Sequence, residues 1–265
     1  MVSVTTEQSD NRYRVQSVER AIDILEHLGA ASAPLTVTEI AEAMGGSKSG
    51  VFATLQTLVG RGLIRSSGTG TERRYGLGLA LARLGDMALD QISFRELARP
   101  VLRALTERTG LTSRAATWGG DYAIMIDRVD GTGGVRFDLQ MGAREPLHRS
   151  SVGKAMLTAM SDDRVREVLA GTSLAATTPH TLTTIDAVLD DVRRARGLGY
   201  AVDDEEDAMG IICIGAPVVD HRGDCVGAIS VTRIKAGISP AEVDDIGRVV
   251  VDSAGELSRL LGSRP

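Results

Sequence analysis

Residues 36–62 constrain this chain more than any other stretch. Thr36-x-x-Glu39 is a capping box, in which a hydroxyl and a carboxylate three residues apart satisfy the amides left free at a helix start. The helix it opens runs to about Met44, where Gly45-Gly46 breaks it. From Ser47, Val51, Thr54, Leu55 and Leu58 fall on one side of a further helix that ends near Gly60-Arg61-Gly62. Ahead of this pair, Val18, Ala21, Ile22, Leu25 and Leu28 line one face of a helix from Ser17, bounded by Gly29 and Pro34. Behind it, residues 63–67 and 73–77 are two short strands around Gly68-Thr69-Gly70-Thr71-Glu72. The order is helix, helix, tight turn, helix, hairpin.

The chain continues too far for one typical domain, since 265 residues fit two. Residues 79–91 are again helical, with Leu81, Leu84, Ala88 and Leu89 apolar. A helix over 94–108 closes at Thr109-Gly110, a usual C-terminal stop. Beyond it, strands at about 113–118, 122–129 and 134–140 alternate with helices at about 151–160 and 184–196. Residues 211–219 and 225–232 form an antiparallel hairpin, and Ser239-Pro240-x-Glu242 opens a long last helix. Residues 1–10 are polar and aperiodic, a disordered tail. No apolar run approaches membrane-helix length, and residues 1–13 lack the apolar core of a signal peptide, so a cytoplasmic location and no membrane partner are expected. Two cysteines, Cys213 and Cys225, make neither a disulfide scaffold nor a zinc ribbon.

A net charge of −5 speaks against nucleic acid, because phosphate binding needs clustered cations. Counted locally, the sign changes. Within residues 45–78, Lys48, Arg61, Arg65, Arg73 and Arg74 face only Glu72, and Arg12 and Arg14 precede the first helix. A winged helix-turn-helix presents such cations to phosphates. The other reading is a solvated face with Arg73-Arg74 protecting an edge strand. On the third helix Val51, Leu55 and Leu58 point inward, leaving Ser49, Phe52, Ala53 and Gln56 opposite, with Ser47 and Lys48 at the amino end. Gln56 suits adenine edges, Phe52 a thymine methyl, and Lys48 and Ser49 phosphates. Phe52 also fits a role covering its own domain.

Residues 18–21 (Val-Glu-Arg-Ala), Leu35-Thr36-x-x-Glu39-Ile40-Ala41, Lys48-Ser49 and Arg61-Gly62-Leu63-Ile64 resemble the IclR, or isocitrate-lyase-regulator, family of bacterial transcription factors. More specific are Leu147-His148-Arg149-Ser150-Ser151-Val152-Gly153-Lys154-Ala155, then Gly199–Glu206, Gly210 and Ala216-Pro217-Val218, in the family's order. The resemblance spans nearly the whole chain. It implies an α+β protein: a winged helix-turn-helix over 11–78, a linker and dimerisation helix over 79–93, and a GAF-like α/β effector-binding domain over 94–265. It further implies a homodimer or dimer of dimers on double-stranded operator DNA, with a small organic or aromatic acid as effector. The family's pocket falls on Ser151, Val152, Asp203, Cys213, Ser230 and Thr232. The chain departs from the family at Gly50, Phe52 and Ala53 in the recognition helix and at Ser150-Ser151 beside the pocket.

The residues themselves suit such a pocket. The start of the 151–160 helix offers free amides, and Ser150 and Ser151 add hydroxyls, so a carboxylate can be held there without a buried arginine. Ser230 and Thr232 alternate with Ile229 and Val231, so both hydroxyls face one side; read alone, they are strand hydroxyls satisfied by backbone. Residues 203–207, all acidic, read as a solvated turn with only Asp203 near the pocket. Few aromatic residues are available to stack on a ligand, Phe137 and Tyr200 among them, which favours a small aliphatic acid.

Enzyme readings fail on missing companions. Ser151-x-x-Lys154 has serine–lysine spacing but no S-D-N or K-T-G element, and Gly153-Lys154 lacks the phosphate-loop glycines. His27, His148, His180 and His221 are isolated, so no metal is expected, nor any cofactor. The sequence therefore predicts a ligand-responsive DNA-binding regulator, a repressor of a catabolic operon. The alternative is a sensor or scaffold whose helix-turn-helix contacts protein.

Overall fold

The Thr36 capping box forms as expected: Glu39 N donates to Thr36 Oγ1 at 3.3 Å and Thr36 N donates to Glu39 Oε2 at 2.6 Å. The structure, a computed structural model, describes residues 15–90, 93–133, 137 and 140–263. The chain divides into two compact units at residues 92 and 93. The tail 1–10, Arg12 and Arg14 lie outside the described residues.

In the first unit α1 (Gln16–Ala30), α2 (Val37–Ala43) and α3 (Lys48–Gly60) pack around Ile24, Leu28, Ile40, Val51, Leu55, Leu58, Ile64 and Tyr75. Strands β1 (Leu35–Thr36), β2 (Ile64–Ser67) and β3 (Arg74–Leu77) form an antiparallel sheet in the order β1-β3-β2. Arg74 therefore lies on the central strand, opposite Thr36 on one side and Ser67 on the other. That overturns the edge-protection reading, which missed the two-residue β1 because so short a strand has no periodicity to detect. At the hairpin tip Gly68 has φ +79°, and a Cβ there would lie 2.9 Å from the Glu72 carbonyl oxygen, so only glycine fits. Helix α4 (Leu79–Asp90) follows.

The second unit is built on six strands: β4 (Thr112–Trp118), β5 (Tyr122–Val129), β6 (Arg144–Pro146), β7 (Ala201–Asp204), β8 (Ile211–Val219) and β9 (Cys225–Ile234). Their order is β6-β5-β4-β9-β8-β7, with every neighbouring pair antiparallel. Each sheet face carries a separate core. Helices α5 (Phe94–Thr109) and α9 (Pro240–Leu260) bury Leu102, Leu105, Val250 and Leu257 against Ile214, Ile229 and Val231. On the other face α6 (Ser151–Thr158), α7 (Asp162–Ala170) and α8 (Ile185–Leu198) bury Val152, Met156, Leu157, Val165 and Leu189 against Ala116, Ala201 and Ala228. Ala228, Ser230 and Thr232 share that second face, as the alternation along β9 requires. Most of the strand expected at 134–140 lies outside the described residues. The sheet edge beyond β5 is closed by the three-residue β6 instead.

One contact sets the height of α6. A Cβ on Gly215 of β8 would meet the Ser151 carbonyl oxygen at 2.9 Å, so the helix's first turn rests on the sheet backbone. Among the described residues no helix is long and apolar enough to cross a membrane.

A candidate nucleic-acid interface and a buried polar pocket

On α3 the buried residues are Val51, Leu55 and Leu58, while Lys48, Ser49, Phe52, Ala53 and Gln56 are exposed. Phe52 is 44% exposed, too open for a side chain whose task is to cover its own core. Ser47 caps the helix, accepting from Gly50 N at 3.2 Å, and its hydroxyl lies 3.4 Å from that of Ser49. A cation that sequence reading missed stands at this end. A Cβ on Gly50 would lie 3.3 Å from Nη1 of Arg20, on α1, so glycine leaves room for that guanidinium beside the helix start. No local pattern signals it, because the two residues meet only through the packing of α1 on α3. In the hairpin Arg65 is exposed and Arg73 half-buried. Arg74 is partly used by the fold: its Nη1 donates to the Pro34 carbonyl at 3.2 Å and lies 3.8 Å from Glu39 Oε2.

In the second unit the sheet register assembles the residues expected of a pocket. Asp203, Cys213, Thr232 and Thr112 form one row across β7, β8, β9 and β4, and Gly215, Ser230 and Arg114 form the next. Arg114 was not anticipated. It is 4% exposed; its Nε donates to Ser230 Oγ at 2.9 Å and its Nη1 to Glu145 Oε1 at 2.6 Å. The structure thus adds a buried arginine where the sequence reading invoked only helix amides and serine hydroxyls. The partners lie 116 and 31 residues from Arg114 in the chain, beyond any local motif. Burial pushes the Glu145 carboxyl above its usual range, while Arg114 pulls it down.

The two serines at the start of α6 divide their roles. Ser150 Oγ accepts from Gly153 N at 3.1 Å and donates to the Pro146 carbonyl at 2.8 Å, so it serves the helix and not a ligand. Ser151 Oγ is buried with no partner, and so is Glu145 Oε2. Asp203 Oδ1 accepts from the amides of Glu206 and Asp207 at 2.9 and 3.2 Å. Burial outweighs those bonds and pushes the Asp203 carboxyl up to about 6. Cys213 Sγ lies 3.4 Å from Thr232 Oγ1, and burial pushes the thiol up to about 12, so it stays neutral. Val152, next to Ser151, is buried in the apolar core on this face of the sheet. Phe137 is half-buried and lines a cavity of about 520 Å³ with Leu111, Thr112, Gly131, Thr232 and Ile234, which shares the two threonines with the polar row.

Two expectations are corrected by the structure. Tyr200 packs on the opposite sheet face, where its hydroxyl donates to Asp244 at 2.5 Å, so it is not available to stack on a ligand in this pocket. The acidic run 203–207 is a solvated turn only in part, with Asp204 and Asp207 exposed but Glu206 buried as well as Asp203. Glu205 adopts φ +63°, its carbonyl accepting from Thr178 Oγ1 at 2.6 Å, and the chain then turns Glu206 inward. There Lys154 Nζ, fully buried, donates to Glu206 Oε1 at 2.5 Å and to Asp191 Oδ2 at 2.8 Å. Burial pushes the Glu206 carboxyl up to about 7. Lys154 is thus committed to two carboxylates, which leaves the Ser151-x-x-Lys154 spacing without catalytic meaning. His148 is buried, with Nε2 3.3 Å from the Ala175 carbonyl, and burial lowers its pKa. Among the described residues no cluster of histidine, cysteine and carboxylate side chains is placed to hold a metal ion.

Comparison with known proteins covers both units. The family model described as the IclR helix-turn-helix domain matches residues 17–68, and that described as bacterial transcriptional regulator IclR C-terminal matches residues 86–259. The chain is 33% identical to the HTH-type transcriptional regulator BhcR of Paracoccus denitrificans over 92% of its own length and 86% of that protein. It is 30% identical to the Transcriptional repressor IclR of Escherichia coli over 94% and 91%. Among solved structures, the Thermotoga maritima IclR superposes with TM-score 0.62 at 27% identity, covering 94% of this chain and all of that one. The Agobacterium tumefaciens repressor BlcR gives TM-score 0.77 at 20% identity, covering 95% and 99%, a likeness of fold.

Proposed function

The chain belongs to the IclR family of bacterial transcriptional regulators, and on that premise we propose that it represses a catabolic operon and responds to a small organic acid. Members of the family are transcriptional regulators and not enzymes. For DNA binding, the reading rests on Lys48, Ser49, Phe52 and Gln56, exposed on α3, with Ser47 at its cap and Arg73 and Arg74 in the hairpin. Arg12 and Arg14, ahead of α1, are proposed to add phosphate contacts. For the effector, the residues are Ser151, Val152, Asp203, Cys213, Ser230 and Thr232, with Phe137 at the cavity.

One observation carries the sensor reading: two buried side-chain atoms without a partner, Ser151 Oγ and Glu145 Oε2, belong to residues at the row of Gly215, Ser230 and Arg114, Ser151 through its backbone over Gly215 and Glu145 through its bond to Arg114. Natural proteins rarely leave such groups unsatisfied without a ligand or water to complete them. Leu79, Leu84 and Met87 are exposed on α4, which supports a linker covered by a second copy in a dimer or dimer of dimers. Two recognition helices then read two half-sites, and the effector changes their separation through α4. Moving a 1:99 population to 99:1 takes roughly 5.5 kcal/mol of differential binding, which the subunits share. Such a protein acts in the cytoplasm.

A gel shift against the DNA upstream of the chain's own gene tests the regulator, with a specific shift expected at low salt. Absence of any shift, with or without small acids, favours a sensor that contacts protein. A thermal-shift screen of carboxylic acids tests the pocket. A hit should stabilise the parent but not the Ser151→Leu and Ser230→Val variants, and equal stabilisation of all three places the site elsewhere.

A further inference from the structure

The acid-effector reading leaves the acid's chemical class open, and two buried groups narrow it. Arg114 uses two of its five N–H donors, one on Ser230 and one on Glu145. What remains suits an incoming carboxylate, for which a guanidinium is the matched planar donor. Gly215 pairs with Ser230, which pairs with Arg114, and the Ser151 backbone sits directly over Gly215. The unpartnered Ser151 hydroxyl is therefore held over the same row as the guanidinium. The other unpartnered atom, Glu145 Oε2, belongs to the very carboxylate that Arg114 grips. While Glu145 is ionised against Arg114 this atom only accepts, so a plain carboxylate cannot satisfy it and a ligand donor can.

The charge around Arg114 points the same way. Glu145, Asp203 and Asp207 all act on its guanidinium, and Asp207 is also paired with Arg149 at 2.6 Å while Lys154 acts on Asp203, so the cations here are already matched by acids. A plain carboxylate adds negative charge there and leaves Glu145 Oε2 unpaired. A ligand that brings its own donor removes the second cost, and an amino group offsets the first as well.

We propose that the effector is a carboxylic acid carrying a hydroxyl or amino group close to its carboxylate, with Arg114 and Ser151 holding the carboxylate and Glu145 Oε2 accepting from the neighbouring donor. Arg114 and Glu145 are then the specificity-determining pair of this chain. The inference rests on the acid-effector reading above and goes beyond it, since that reading requires only a carboxylate.

Calorimetric titration of the full chain with matched acids tests the pair. The probes are propanoate, 2-hydroxypropanoate and 2-aminopropanoate, with the corresponding four- and six-carbon sets. In at least one set the hydroxy or amino member should bind about tenfold or more tighter than its parent acid, as a site built around a donor rejects the analogue lacking it. In Glu145→Gln, nearly isosteric, that ratio should fall to about twofold or less, whereas Ser151→Ala should weaken every member alike and preserve the ratio. Parent acids binding as tightly as their substituted partners, or a ratio that survives Glu145→Gln, overturns the inference while the acid-effector reading stands. No binding by any acid of any set overturns both. If Glu145→Gln does not fold, the wild-type ratio decides.

Discussion

The exposed face of α3 and the buried row beneath α6 handle charge in opposite ways. Around α3, Lys48, Arg20 and Arg65 stand in solvent, where each cation costs little to hold and is screened by salt. Beneath α6, Arg114 and Lys154 are removed from water and bound to carboxylates at 2.5 to 2.8 Å, Arg114 also to the Ser230 hydroxyl at 2.9 Å. Desolvation there makes each partner indispensable to the other. Any binding strength of the first surface is thus a sum of small contributions, of which a single protomer holds few. At the second, a single substitution reshapes the whole site.

Lys154→Met presses that contrast hardest. It strands Glu206 as a buried, unpaired acid and leaves Asp191 with Arg194 alone, and should cost about 3–5 kcal/mol of stability in urea unfolding. A loss under about 1 kcal/mol, the size of a surface ion pair, would dissolve the distinction. Gly215→Ala comes next, because its Cβ meets a backbone oxygen and not a flexible side chain. Overpacking of that kind costs about 1–3 kcal/mol, and acid-induced thermal shifts should fall with it.

Glu206→Gln sharpens the comparison through pH. The native Glu206 carboxyl titrates at about 7, above its value in an unfolded chain, so between these values the folded state holds the extra proton. Its contribution is complete below the unfolded value and is lost as pH rises through about 7. Glutamine lacks that titration, so the variant should gain stability relative to the parent as pH rises from about 5 to 8. A pH-independent difference refutes the assignment. The smallest effects belong to the exposed surface. Lys48→Ala and Arg65→Ala should each weaken operator binding evenly across sequences and lower the salt slope by about 1, read by gel shift at several salt concentrations. Arg74→Ala should change it less, since Arg74 is already shared with Pro34 and Glu39.

What the sequence disclosed follows from chain distance. The Thr36 and Ser239 capping boxes and the Gly110 stop are each written within a few residues, and all three form where expected. The inward and outward faces of α3 and β9 are equally local, being periodicities of single elements. The Arg114–Glu145–Ser230 and Lys154–Asp191–Glu206 clusters join residues 31 to 116 positions apart, and nothing in a linear reading separates a buried acid in 203–207 from a solvated one. The short strands β1, β6 and β7, of two to four residues, carry too few alternations to announce themselves. Tyr200 is instructive in the same way. Its ring faces Gly247, where a Cβ would lie 2.5 Å away, and that glycine on α9 decides which side of the sheet the aromatic occupies.

The corner between β6 and α6 has a mechanical meaning. Ser150 ties Pro146 to Gly153, and a Cβ on Gly153 would lie 2.5 Å from the Leu147 Cα, so the corner has no slack. Glu145 on one side of it and Ser151 on the other are consequently held at a fixed spacing, and both are anchored to the sheet that carries Arg114 and Ser230, Glu145 through β6 and Ser151 through Gly215. A molecule held by all four must fit a frame that does not stretch, so its length, as much as its chemistry, decides whether it is accepted.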